Sequence, residues 1–131
     1  TQAFNGILNA FGLPQRTDIE KTVRREAIQA ATRFAIEIPF EVLQTSYASM
    51  QVMMHMAQTG NPNSVSDAGV GALAARSAVL GAALNVKINA IGLTDKDYTN
   101  KLLQEVAEIE QKTVELEGQI LEIVNRKIGI E

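Results

Sequence analysis

Residues 68–91 read AGVGALAARSAVLGAALNVKINAI. Only Arg76 and Lys87 carry charge within this run, and the remaining positions are apolar or small on every side. A helix formed from such a run has no polar face to offer water, so it belongs in the interior with neighbours all round. At roughly 24 residues the run is also long enough to span a bilayer. Against a span stand Arg76, Ser77, Asn85, Lys87 and Asn89, set among Ala and Gly rather than Leu and Ile. The reading adopted is a central buried helix of an all-α protein, with no membrane partner.

Working outward, the loop Asn61-Pro62-Asn63 precedes this helix, and Ser64 or Ser66 can cap it. On its C-terminal side a helix is expected from Thr94 to about Ile128. There Leu102, Val106, Ile109, Thr113, Leu116, Ile120 and Ile123 alternate by four and three, a bundle or coiled-coil seam. Acidic residues lead it and Arg126 and Lys127 close it, as the helix dipole prefers. Gly118 interrupts it and suggests a close crossing.

Upstream, Pro39 divides two expected helices. One ends at Gly60 and carries Phe40, Leu43, Tyr47, Met50, Met54 and Ala57 on its buried stripe. The other opens with the capping box Thr17-Asp18-Ile19-Glu20 and is expected to bury Ile19, Val23, Ala27, Ala31, Phe34 and Ile38. A first segment, Thr1 to Phe11, places Phe4, Ile7, Leu8 and Phe11 at helical spacing and stops at Gly12 before Pro14. It has no clear cap and reads as the end of a helix already under way, which implies a preceding segment. No strand signal, internal repeat or low-complexity tract interrupts these five segments. The expected architecture is one domain over residues 1–131, an antiparallel helical bundle around the central helix with a long C-terminal helix. Because four segments scarcely surround a fifth, a second subunit is expected to complete the bundle as a homodimer.

The 131 residues suit one domain, and 46% hydrophobic content supports a real core. A net charge of -3 argues against a nucleic-acid partner, which demands a clustered basic surface. The absence of cysteine excludes disulfides, thiolate catalysis and cysteine metal sites, and fits a cytoplasmic location. His55, alone among methionines, is a poor metal ligand and reads as a structural or surface residue, and no metal site is expected. Arg24 and Arg25 read as solvated charges.

The candidate chemistry gathers on the central helix and its entry loop. Gly69, Gly71 and Gly81 each weaken a helix interior by about 1 kcal/mol against Ala. Either another backbone packs closely there or a flat ligand lies on the helix. Asn85 and Asn89 stand one turn apart, with Gly81 and Ser77 on the same line. They make interhelical hydrogen bonds or hold the amide-like edge of a heterocycle. Asp67 in the first turn is either a dipole-stabilised cap or an acid/base group at the mouth of a pocket.

The run Gly60-Asn61, Ser66-Asp67, Gly81-Ala82 and Asn85-Val86-x-Ile88-Asn89 resembles the signature of the formiminotetrahydrofolate cyclodeaminase/methenyltetrahydrofolate cyclohydrolase family. Ala3-Phe4, Ala10-Phe11-x-Leu13-Pro14, Arg24-Arg25 and Ile38-Pro39 agree in order. The resemblance implies an all-helical, dimeric folate one-carbon enzyme, a lyase or a hydrolase, with no prosthetic group and a tetrahydrofolate derivative as substrate. It implies Asp67 as the catalytic carboxylate, with Asn61, Ser66, Asn85, Lys87 and Asn89 at the substrate. Lys87 or Arg76 would meet the folate glutamate tail. The family also has a glycine-rich helix near its N-terminus that is missing here. An acidic residue important for its cyclodeaminase activity falls at or just before Thr1, so the site is expected to be incomplete within these residues. The alternative is a non-catalytic helical scaffold that packs through the seam of the last helix.

Overall fold

The computed structural model describes residues 2–129. Thr1, where the first expected segment starts, lies outside the described residues. The helices are α1 (Gln2–Phe11), α2 (Asp18–Thr59), α3 (Val65–Ala90) and α4 (Lys96–Ile128), with a 3-10 turn at Pro62–Ser64 before α3. Among the described residues there is no strand.

The expected division at Pro39 does not occur, and α2 runs unbroken for 42 residues. A proline inside a helix removes the N–H that would bond the carbonyl four residues earlier, at a cost of about 3 kcal/mol. Here that carbonyl belongs to Ala35, and Asn89 Nδ2 of α3 donates to it at 3.1 Å. The orphaned acceptor is thus paired from a neighbouring helix, while Ile36 and Leu43 on either side of Pro39 are fully buried.

Local signals set most helix ends. Glu20 N donates to Thr17 Oγ1 at 3.2 Å and Thr17 N donates to Glu20 Oε2 at 3.1 Å, which closes the capping box. Helix α4 is capped by Asp95, not Thr94: Asp95 Oδ1 accepts from Tyr98 N at 3.0 Å. Gly129 ends it in the left-handed region at φ 79°. Before α3, Asn61 Oδ1 caps the 3-10 turn by accepting from Asn63 N at 3.0 Å. Ser64 occupies the N-cap position of α3 but makes no side-chain cap bond, and Ser66 falls inside the first turn. Arg24 is not a solvated charge. Its guanidinium donates twice to the Phe11 carbonyl, at 3.1 and 3.3 Å, and so holds the end of α1 against α2.

Helix α3 packs on both α2 and α4. Its inner face, Ala68, Ala72, Val79, Ala83, Val86 and Ala90, is buried, and its small side chains let the neighbouring helices come close. The two ends of the core differ in character. Ile36, Leu43, Val79, Val86 and Val106 fill one. Met50, Ala57, Ala72, Ile120 and Val124 fill the other. The seam of α4 behaves as its spacing predicts through Ile120, then drifts onto Val124 rather than Ile123. Gln29 fixes the α3–α4 connection by accepting from Thr94 N at 2.7 Å and donating to the Gly92 carbonyl at 3.0 Å. At the far end Lys127 Nζ donates to the Gln58 carbonyl at 2.7 Å and caps the end of α2. Gly118 marks no close crossing, since a side chain there would meet nothing within 4 Å.

Helix α3 is not enclosed by this chain alone: Val70, Leu84 and Ile88 on its outer face are 65, 66 and 64% exposed. Its length and composition alone would suit a membrane span. Its packing on two helices is the ordinary setting of a core helix. On α2 the expected stripe Ile19, Val23, Phe34 and Ile38 is exposed, and Thr32, Ala35 and Ile36 are buried instead. The first half of α2 carries two apolar lines, and only one faces α3.

Candidate substrate-binding site

The exposed line of α3 that carries Ala78, Gly81, Asn85 and Asn89 looks across at Phe34, Ile38 and Val42 of α2 and at Phe4 and Ile7 of α1. These residues bound an open cavity of about 660 Å³. A largely apolar recess with a few convergent polar groups is the usual form of a small-molecule site. Here the polar groups include the two asparagine amides. Asn85 Nδ2 turns back onto the Gly81 carbonyl at 3.2 Å, and Asn89 Nδ2 reaches the Ala35 carbonyl. The interhelical hydrogen bond and the position at a cavity therefore coexist for Asn89.

The three glycines of α3 separate by function. A side chain at Gly69 would meet Val124 of α4 at 3.3 Å, and one at Gly71 would run into the Met53 side chain of α2. Both are places of close helix packing. At Gly81 a side chain would meet nothing within 4 Å, and the residue lines the cavity. Its lack of a side chain serves no packing within this chain. It leaves a flat strip of helix open to the recess.

The other residues expected at the substrate lie elsewhere. Asp67 is exposed in the first turn of α3, and no hydrogen bond or ion pair involves it among the described residues. At 1.5 Å rise per residue, its position is about 27 Å along the helix from Asn85. Asn61 and Ser66 lie at the Asp67 end. Lys87 faces α4, where both Glu110 oxygens accept from its Nζ at 2.7 and 2.8 Å. Arg76 pairs with Glu117, Nε to Oε2 3.1 Å, with its N–H directed off the oxygen. Both cations of α3 are thus engaged by α4. The cavity's apolar walls do not stand out in the sequence, because Phe34 and Ile38 fall at the spacing of a buried stripe. The available signal was that α2 carries one more apolar line than a single neighbour can cover.

Among the described residues, no three His, Asp or Glu side chains group as a metal site would. His55 makes a local contact, its Nε2 3.3 Å from Thr59 Oγ1.

Comparison with known proteins bears on this geometry. Residues 1–108 match the family model described as Formiminotransferase-cyclodeaminase. The chain is 35% identical over 128 residues to methenyltetrahydrofolate cyclohydrolase of Methylorubrum extorquens, covering 98% of this chain and 62% of that protein. It is 34% identical over 128 residues to formimidoyltransferase-cyclodeaminase of Dictyostelium discoideum, covering 97% of this chain and 23% of that protein. Over 111 residues it is 32% identical to the formimidoyltransferase-cyclodeaminase of Rattus norvegicus, covering 85% of this chain and 20% of that protein. The chain thus spans under two thirds of the length of each of these relatives.

Proposed function

The chain belongs to the formiminotransferase-cyclodeaminase family, and from that premise we propose that it forms the folate-binding part of an enzyme acting on one-carbon units carried by tetrahydrofolate. The observation that carries this reading is the cavity over Gly81, flanked by Asn85 and Asn89. A flat heterocycle lies on the strip left bare by Gly81, with Phe34 and Ile38 against its faces and the two amides at its edge. Two reactions suit such a site. In one, N10 attacks the formimino carbon of 5-formiminotetrahydrofolate, ammonia leaves, and 5,10-methenyltetrahydrofolate forms. In the other, water adds to the methenyl carbon, the bond to N5 breaks, and 10-formyltetrahydrofolate results. Both pass through a tetrahedral carbon between N5 and N10, and both need a group that takes a proton from the attacker and returns one to the leaving nitrogen. Asp67 is the carboxylate proposed for that role.

The separation of about 27 Å along α3 rules out Asp67 and Asn85 of one chain at a single reacting centre. We therefore assign the acid/base group of each site to a second copy, as a homodimer. A two-fold axis near Ser77 with the two α3 helices antiparallel brings Asp67 of one copy towards Asn85 of the other. The exposed face of α3 suits that crossing. Its middle is small, with Ala74 and Ser77, and its flanks are large, with Val70, Leu73, Leu84 and Ile88. Small residues at the centre let two backbones approach, and the larger ones bury apolar area on either side.

The test is to incubate the protein separately with 5-formiminotetrahydrofolate and with 5,10-methenyltetrahydrofolate, following methenyl absorbance. Appearance of methenyl compound from the first supports the deaminase. Its accelerated loss in the second supports the cyclohydrolase. No change with either, together with no folate binding by calorimetry, overturns the enzyme reading in favour of a scaffold.

A further inference from the structure

Pro39 lacks an N–H, so the Ala35 carbonyl has no partner within α2. It is Asn89 Nδ2 that donates to this carbonyl at 3.1 Å. Only the nitrogen end of an amide can make that bond, so the orientation of the Asn89 side chain follows from chemistry. Its Oδ1 has no hydrogen-bond partner among the described residues, and Asn89, Ala35 and Pro39 all line the same cavity. Asn85 is oriented alike, because its Nδ2 is turned back to the Gly81 carbonyl at 3.2 Å and its Oδ1 is left over. The two residues stand one helical turn apart, about 6 Å.

We propose that Pro39 is a positioning residue: by leaving Ala35 without its helical partner it holds the Asn89 amide with Oδ1 towards the cavity, so that the site selects ligands whose edge presents N–H donors. The proposal rests on the folate reading only for the identity of the ligand. A pterin edge carries such donors in its 2-amino group and N3–H. A ring edge that offers only acceptors leaves two carbonyl oxygens facing lone pairs, and desolvated polar groups without partners are where discrimination is largest. The proline also explains itself in this way. A helix interior is its worst position.

Two measurements test this on the protein as it stands. The first needs no ligand. In a spectrum selectively labelled at asparagine, the Asn89 side-chain amide should be shifted and protected from exchange in the wild type. In Pro39→Ala it should move to the position of a free amide, because the new N–H at residue 39 competes for the Ala35 carbonyl. The second uses folic acid and its 2-desamino analogue as probes. Wild type should bind the analogue about tenfold more weakly, the scale of one lost hydrogen bond. Pro39→Ala should bind folic acid about tenfold more weakly while its thermal midpoint holds or rises. A merely structural proline would leave affinity unchanged or lower midpoint and affinity together. An Asn89 amide signal identical in the two proteins overturns the proposal, as does equal affinity of the wild type for the two probes. If the wild type binds neither probe, the folate reading fails, and the amide signal still decides whether Pro39 orients Asn89.

Discussion

At the residue scale, the informative positions are those where a side chain and its surroundings disagree. Thr113 is fully buried, and its hydroxyl has no hydrogen-bond partner among the described residues. Replacing it with valine removes an unsatisfied polar group at nearly constant volume, so Thr113→Val should raise stability by about 1 kcal/mol in urea denaturation. Gly81 departs from its surroundings in the opposite sense, as a helix-weakening residue with open space where a side chain would be. Gly81→Ala should stabilise the protein by about 1 kcal/mol, seen as a thermal midpoint raised by about 3 °C. If the strip over Gly81 receives the heterocycle, the same variant loses folate affinity, so calorimetry and melting move in opposite directions. Asp67 makes no hydrogen bond or ion pair among the described residues, so Asp67→Asn should leave the fold intact. Turnover should fall about a hundredfold or more if the carboxylate moves protons in the reaction. Unchanged turnover in the methenyl assay would return Asp67 to a dipole-stabilising role.

At the scale of elements, α3 and α4 are held in register by two ion pairs as well as by packing. Lys87 meets Glu110 at 2.7 Å and Arg76 meets Glu117 at 3.1 Å, three turns apart along α3. These pairs do not contribute alike. The Glu117 side chain is 11% exposed, against 23% for Glu110, so the Arg76 pair is the more desolvated on its acidic side. Glu117→Gln leaves the Arg76 guanidinium, its Nε buried, without a countercharge. It should destabilise the fold by about 1–2 kcal/mol, reduced from the fully buried case because Arg76 itself reaches solvent. The check is chemical denaturation beside Glu110→Gln, which should cost less. Both carboxylates also occupy the cations that resemblance would give to a folate glutamate tail. A variant freeing Lys87 by Glu110→Gln therefore asks whether that tail competes for it.

At the scale of the molecule, the open face of α3 and the spread of the site residues along it have one common solution. A second copy that covers the apolar flanks of α3 would also deliver Asp67 to the cavity. Sedimentation should then show no stable monomer at micromolar concentration. A sharper expectation concerns mixtures. Asp67→Asn and Asn89→Ala, each inactive alone, should regain about a quarter of wild-type activity when unfolded and refolded together in equal amounts, because half the dimers are mixed and each has one intact site of two. No recovery in a mixture shown to contain mixed dimers would remove Asp67 from the site and the antiparallel crossing with it.

Much of this protein was legible along the chain because the signals are local. The Thr17–Glu20 capping box, the stop at Gly60, the Leu43–Met50–Ala57 stripe and the alternating seam of α4 each depend on spacing within one helix, which periodicity reports directly. That α3 packs on two neighbours was legible for the same reason, since a helix of Ala and Gly has little to bind it but close contacts. The pairing of elements was not. Whether Pro39 ends a helix depends on whether some other helix can satisfy the Ala35 carbonyl, and the donor is Asn89, 54 positions away. Which apolar line of α2 is buried depends on where α3 lies, and so does the cavity left beside the unburied one. The sequence by itself determined which segments are helical and that α3 needs close neighbours, because those are properties of spacing and composition. Only the tertiary structure decided that α2 is continuous, that Gly81 borders a cavity while Gly69 and Gly71 border helices, and that Asp67 and Asn85 lie too far apart to meet. Those are distances between elements, and side-chain spacing along one helix carries no record of them.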